Sequence, residues 1–143
     1  MTGPAPGSEE PAHDPELLQF AAKVFDLARQ GQAERLAAYV DAGVPVNLSN
    51  EKGDSLLMLA AYHGHPETVR ALLARGADPD RTNDRGQTPL AGAVFKGAEE
   101  VVRALLAAGA DPHVGQPSAV ETARLFERTA LLRLLEGEGS ADA

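Results

Sequence analysis

Imidazole, carboxylate and hydroxyl groups are the side chains of this sequence that could do chemistry. His63-Gly64-His65 holds two histidines around one glycine. That spacing is open to a metal, but two ligands are an incomplete set because zinc takes three or four. Asp78, Asp80, Asp111 and His113 fall in adjacent turn-like stretches and read as a solvated acidic edge rather than a cation site. Ser55, Ser118 and the threonines read as helix caps, since no histidine–acid pair is placed to activate them as nucleophiles. The glycines do not follow the G-x-G-x-x-G spacing of a phosphate loop. The chain has no cysteine, which excludes disulfides and thiolate zinc sites and fits a reducing cytosol.

The elements that would position these groups announce themselves by repetition. Gly53-Asp54-Ser55-Leu56-Leu57-Met58-Leu59-Ala60-Ala61-Tyr62-His63-Gly64 returns 33 residues later as Gly86-Gln87-Thr88-Pro89-Leu90-Ala91-Gly92-Ala93-Val94-Phe95-Lys96-Gly97. Val69-Arg70-Ala71-Leu72-Leu73-Ala74 returns as Val102-Arg103-Ala104-Leu105-Leu106-Ala107, and Gly76-Ala77-Asp78-Pro79 as Gly109-Ala110-Asp111-Pro112. A fixed period of this size signals a stacked repeat. Ser55 and Thr88 suit helix starts, with Pro89 at a first helical position. Gly64 and Gly97 should end first helices, and Gly76 and Gly109 second helices, where the chain turns left-handed. Asn50 with Gly53, and Asn83 with Gly86, carry the signature of a type I turn.

The period extends in weaker form to both ends. Residues 1–13, rich in Pro, Gly and Glu, are expected to be a disordered tail; they show neither a basic start nor an apolar core, so no signal peptide is expected. Asp14 and Pro15 open a helix whose apolar stripe passes through Leu17, Ala21, Val24 and Ala28. Gly31 and Gly43 keep the register of Gly64 and Gly76, so a degenerate first repeat with a longer, more polar first helix should act as a cap. The fourth repeat has a finger three residues shorter, a capping box at Ser118-Ala119-Val120-Glu121, and no inter-helix glycine; Thr129 is expected to start its last helix. The expected repeats are 17–49, 50–82, 83–114 and 115–136, within a domain of residues 14–136 followed by a disordered tail at 137–143. Leu57, Leu72, Leu73, Leu90, Leu105 and Leu106 should form one continuous core. Gly92, in mid-helix, is expected to make room for Met58 or Phe126.

The unit of turn, helix, loop and helix resembles the ankyrin repeat, from about Leu17 to Leu135. The resemblance implies an all-α solenoid of about four helix-turn-helix repeats with turn-like fingers. The residues themselves show no catalytic constellation and no cofactor is expected, while the family pattern places His65 at a structural position beside the loop glycine. The resemblance also implies a concave groove that binds a partner protein. Carried over position by position, the finger residues are Glu51, Lys52, Asp54, Asp84, Arg85 and Gln87, and the first-helix residues are Arg29, Gln30, Tyr62, His63, Phe95 and Lys96. Tyr62 and Phe95 hold equivalent positions, either as binding anchors or as core between repeats. The histidine of the family's T-P-L-H tetrapeptide is replaced by Met58 and Ala91.

A net charge of −8 opposes binding to nucleic acid and anionic membrane, and no basic stripe with aromatics favours nucleic acid. No apolar run reaches the roughly 18 residues of a membrane span. The sequence therefore points to non-catalytic protein binding in the cytoplasm by a chain that is monomeric alone. Two alternatives stand beside it: a dedicated regulatory or accessory subunit of one enzyme, and a metal-dependent hydrolase around His63 and His65.

Overall fold

The computed structural model describes residues 14–137. Eight helices follow one another: α1 (Pro15–Gln30), α2 (Ala33–Asp41), α3 (Leu56–Tyr62), α4 (Pro66–Ala74), α5 (Pro89–Lys96), α6 (Glu99–Ala107), α7 (Ala119–Leu125) and α8 (Thr129–Leu135). Each odd-numbered helix pairs with the helix that follows it. The odd helices stack side by side in one layer and the even helices in a second. Among the described residues the extended pairings outside helices are two isolated bridges, Ser49 with Ser55 and Gly115 with Ser118. The expected tails at 1–13 and 137–143 lie, apart from Gly137, outside the described residues.

The first helix of each repeat starts on a side chain that satisfies an orphan backbone N–H. Asp14 accepts from the Glu16 amide at 2.9 Å, Ser55 from Met58 at 3.0 Å and Thr88 from Ala91 at 3.1 Å. Ser118 accepts from the Glu121 amide, and the Glu121 carboxylate takes the Ser118 amide at 2.8 Å, which completes the capping box. Ser55, Thr88 and Ser118 are buried, so they act as fixed caps. Gly31, Gly64 and Gly97 are left-handed, with φ of 73°, 76° and 73°. In repeat four Glu127 fills that place with a φ of 56°, the one non-glycine residue with positive φ among those described. Thr129 begins α8, as its position suggested.

Leu57, Leu72, Leu90 and Leu105 are fully buried and join Val69, Val101 and Val102 in one core that runs through all four repeats. Leu73 and Leu106 are corrections: both are half-buried at the edge of that core. Each follows a fully buried leucine, and the next position round a helix is turned away by about 100°. The first helix is the longest of the eight, Leu17, Leu18 and Phe20 are exposed on it, and Phe20 meets Tyr39 edge-on. Between repeats one and two, Arg75 grips Asp41 with two hydrogen bonds, of 2.9 and 3.2 Å. Those hydrogen bonds hold the Asp41 carboxyl below its usual pKa.

Candidate functional site

The C-terminal ends of α3, α5 and α7 bring three aromatic rings into a row. Tyr62 and Phe95 stack nearly parallel, with centroids 6.2 Å apart, and Phe126 meets Phe95 edge-on at 5.0 Å. The register explains the row, because Tyr62 is the last residue of α3, Phe95 the last but one of α5, and Phe126 follows the end of α7. Tyr62 is 36% exposed, Phe95 39% and Phe126 47%. The rings therefore pack on one another and still present their free edges to solvent. Leu125, the fourth-repeat counterpart of Phe95, is 69% exposed.

A groove of about 400 Å³ opens beside this row, lined by Met58, Tyr62, Gly92, Phe95, Leu125 and Phe126 among others. Sequence reasoning missed Met58, Leu125 and Phe126 as parts of it. The signal for the last two was available: the shorter fourth finger shifts the register by three residues and aligns Leu125 and Phe126 with Phe95 and Lys96. The nearest atoms to a side-chain carbon at Gly92 would be those of Met58 and Tyr62, at ordinary contact distances of 3.6 to 3.7 Å, so the packing does not require the expected room for Met58 or Phe126.

Cationic side chains stand near the helix ends. Lys96 Nζ stands 5.0 Å from the centre of the Tyr62 ring, and Arg29 pairs with Asp26 at 2.7 Å. His63 meets Tyr62 edge-on. Partial burial, followed by the charges of His65, Lys96 and Arg29, pushes the His63 imidazole below its usual pKa. Gln30 is exposed at the end of α1.

The finger residues form a second, more polar depression of about 530 Å³, which shares Met58, Tyr62 and Gln87 with the first. Glu51, Lys52, Asp84 and Arg85 are exposed there. Asp54 and Gln87 are half-buried and already engaged, because the Asn83 amide donates to both at 2.8 Å. Asn50 and Asn83 shape the tips: each side-chain oxygen accepts two backbone N–H groups of its own turn. The Asp84 amide donates to the Lys52 carbonyl at 3.1 Å and ties one tip to the next.

The two histidines of the sequence motif part company. His65 donates through Nε2 to the Arg29 carbonyl at 2.7 Å, which fixes it as a bridge between repeats one and two. Arg128, at the same place in repeat four, donates to the Phe95 carbonyl at 2.7 Å. Ala98 stands there in repeat three and makes no such side-chain bond. Asp78, Asp80 and Asp111 accept or relay backbone amides along the turns, and the Asp111 amide bonds the Asp80 carboxylate at 2.8 Å. Among the described residues no three His, Cys, Asp or Glu side chains gather as a metal site would, and no helix is long and apolar enough to cross a membrane.

The family model for ankyrin repeats, in three copies, matches residues 18–116, more than half of the chain. The chain belongs to the ankyrin repeat family. A curated Pseudomonas aeruginosa protein described as an ankyrin repeat protein is 55% identical over 58 residues. That stretch is 41% of this chain and 34% of the relative, so the match spans about a third of the relative's length. Ankyrin repeats are in general protein–protein interaction modules, and the family is typically non-catalytic. In this ankyrin repeat protein the stacked rings and the finger tips adjoin one another, with Tyr62 and Met58 common to both depressions.

Proposed function

We propose that this chain is a non-catalytic binding module whose partner protein lies along the Tyr62–Phe95–Phe126 row and reaches the finger tips. The observation that carries this reading is the row itself. Three partly exposed rings stand in contact beside an apolar groove, in a chain where aromatic residues make up only 4%. Rigid aromatics offer large contact area at low entropic cost and recur among the residues that dominate interfaces. Lys52 and Arg85, exposed on the fingers with Glu51 and Asp84, suit the rim, where charge steers approach more than it holds the complex. The lack of cysteine supports a reducing compartment such as the cytoplasm.

The test starts with a pull-down using the intact chain to obtain a partner, followed by affinity measurements on Tyr62→Ala and Phe95→Ala. Each variant is first shown by circular dichroism and melting to stay folded. Loss of at least about 2 kcal/mol of binding in a folded variant is the expected result. Full affinity in both folded variants would move the site elsewhere. Arg85→Glu should alter on-rate and salt dependence more than off-rate.

A further inference from the structure

Two turns of α1 stand outside the core that the rest of the helix helps to build. Gly31 and Gly64 share one register, so residues 15–22 of α1 take the place that residues 48–55, the finger, hold before α3. Repeat one thus replaces a finger with helix, and α1 runs to 16 residues against 7 in α3. Residues 15–20 are all exposed, and the buried positions of α1 begin at Val24. The outer face of a terminal repeat is expected to be polar. Here Leu17, Leu18 and Phe20 project instead, at 43%, 50% and 38% exposure. Leu17 and Phe20, three residues apart, share one side of the helix, whereas Leu18 is turned away from Phe20.

The charges on the Phe20 side are ordered. Glu16 lies four residues before Phe20 and Lys23 three after it, which puts all three on one side of the helix. Glu16 and Lys23 are about 10 Å apart along the axis, too far to pair with each other. Neither makes an ion pair among the described residues. Lys23 Nζ stands 5.9 Å from the centre of the Tyr39 ring, and that ring meets Phe20 edge-on at 5.4 Å. The other charges of α1 and α2 keep this order. Asp14 adds a second acid at the Glu16 end, Asp26 is paired with Arg29, and Asp41 is held by Arg75. Glu34 and Arg35 open α2, beyond the loop at the other end of α1. Read backwards, acid–ring–base becomes base–ring–acid, so the stripe is its own complement about a two-fold axis.

We propose that this side of α1 pairs with the same side of α1 in a second copy of the chain, antiparallel about a two-fold axis beside Phe20. The two Phe20 rings meet at the axis with Leu17 beside them, and Glu16 of each copy faces Lys23 of the other. Such a contact buries less than the roughly 1,200 Å² of a stable interface, so the dimer is weak, with a dissociation constant between about 1 μM and about 1 mM. The chain expected from sequence to be monomeric alone is then monomeric only when dilute.

The experiment is sedimentation equilibrium of the intact chain across that concentration range. Circular dichroism and melting first show that each variant stays folded, as substitution of exposed side chains allows. Wild type should pass from monomer to dimer and stop there, because a two-fold contact closes on itself. Phe20→Glu should weaken association by about tenfold or more, as loss of a central anchor does. Leu18→Glu adds the same charge on the other side of the helix and should leave association unchanged. Glu16→Lys and Lys23→Glu should each weaken it by about threefold or more. Mixed in equal amounts, those two variants should recover wild-type tightness, because the lysines of one copy then face the glutamates of the other. A chain that is monomeric throughout, association indifferent to Phe20→Glu, an equal loss in Leu18→Glu, or a mixture no tighter than its parts overturns the proposal. A monomer whose Phe20 amide signal shifts when residues 2–13 are removed assigns the face to that segment and overturns it as well.

Discussion

Repeats two and three share one register and differ in bulk at the positions that face the groove. Repeat two carries Met58 and Leu59 where repeat three carries Ala91 and Gly92. The step from large to small between neighbouring helices leaves the depression that Tyr62 and Phe95 border. In the second-helix layer the difference is chemical: Thr68 in repeat two is fully buried with its hydroxyl unpartnered, and Val101 replaces it in repeat three with the same burial. At the loop between helices, His65 and Arg128 reach back to the preceding repeat while Ala98 does not. A stacked array thus repeats its backbone, while one or two side chains per repeat decide what each junction does. The backbone tolerates this because each repeat touches only its neighbours.

The strongest way to break the comparison is in the core the two repeats share. Leu72 and Leu105 are equivalent and both fully buried. Leu72→Ala and Leu105→Ala should each cost about 2–5 kcal/mol. Against a typical total of about 5–15 kcal/mol, either could unfold the array. Denaturant midpoints measure this, and a midpoint equal to wild type would remove that leucine from the core.

The loop glycines sharpen the comparison. Gly31, Gly64 and Gly97 have almost the same φ, so the left-handed backbone alone should cost each alanine variant about 1–2 kcal/mol. The neighbours then separate them. An added carbon at Gly31 would overlap the His65 ring, at Gly97 it would lie 3.1 Å from the Arg128 guanidinium, and at Gly64 it would meet nothing within 4 Å. Melting of the three variants should rank the losses as Gly31→Ala, then Gly97→Ala, then Gly64→Ala. Another order would show that the side chains at these junctions yield freely.

The buried threonine predicts a gain. Thr68→Val should stabilise the protein by about 1 kcal/mol, since it removes an unpaired buried hydroxyl at nearly constant shape. The reciprocal Val101→Thr should destabilise it. A loss of stability in Thr68→Val would mean that the hydroxyl has a partner in solution.

The smallest effect concerns pH. Burial and neighbouring cations lower the pKa of His63 in the folded state, so the unfolded chain takes up that proton first as pH falls. The contribution is intact above the ordinary imidazole value of 6.5 and is lost as pH drops through the lower folded value. Lys96 stands at the equivalent position in repeat three. Unfolding free energies from about pH 7.5 to about pH 5 should therefore fall less steeply in His63→Gln than in wild type. Identical slopes would place His63 in a fully solvated setting.

Sequence by itself determined the array. Ser55, Thr88 and Ser118 start helices through bonds three residues away, and glycine at 31, 64 and 97 permits a left-handed turn whatever surrounds it. Such local chemistry recurs at a fixed period and can be read from one chain. It also placed Tyr62 beside Phe95, because equivalent positions in adjacent repeats must be neighbours.

Tertiary structure alone decided the rest. That Leu73 and Leu106 lie at the core's edge, that Asp54 and Gln87 are held by Asn83, and that His65 spans to the Arg29 carbonyl all depend on atoms from distant parts of the chain. Whether the aromatics would be core or surface was equally closed to sequence. Their exposure is set by the volumes of Met58, Ala91 and Gly92, which meet only when the helices stack. Local bonding repeats with the sequence, whereas the space between repeats is a difference of side-chain volumes across a junction and exists only in the packed molecule.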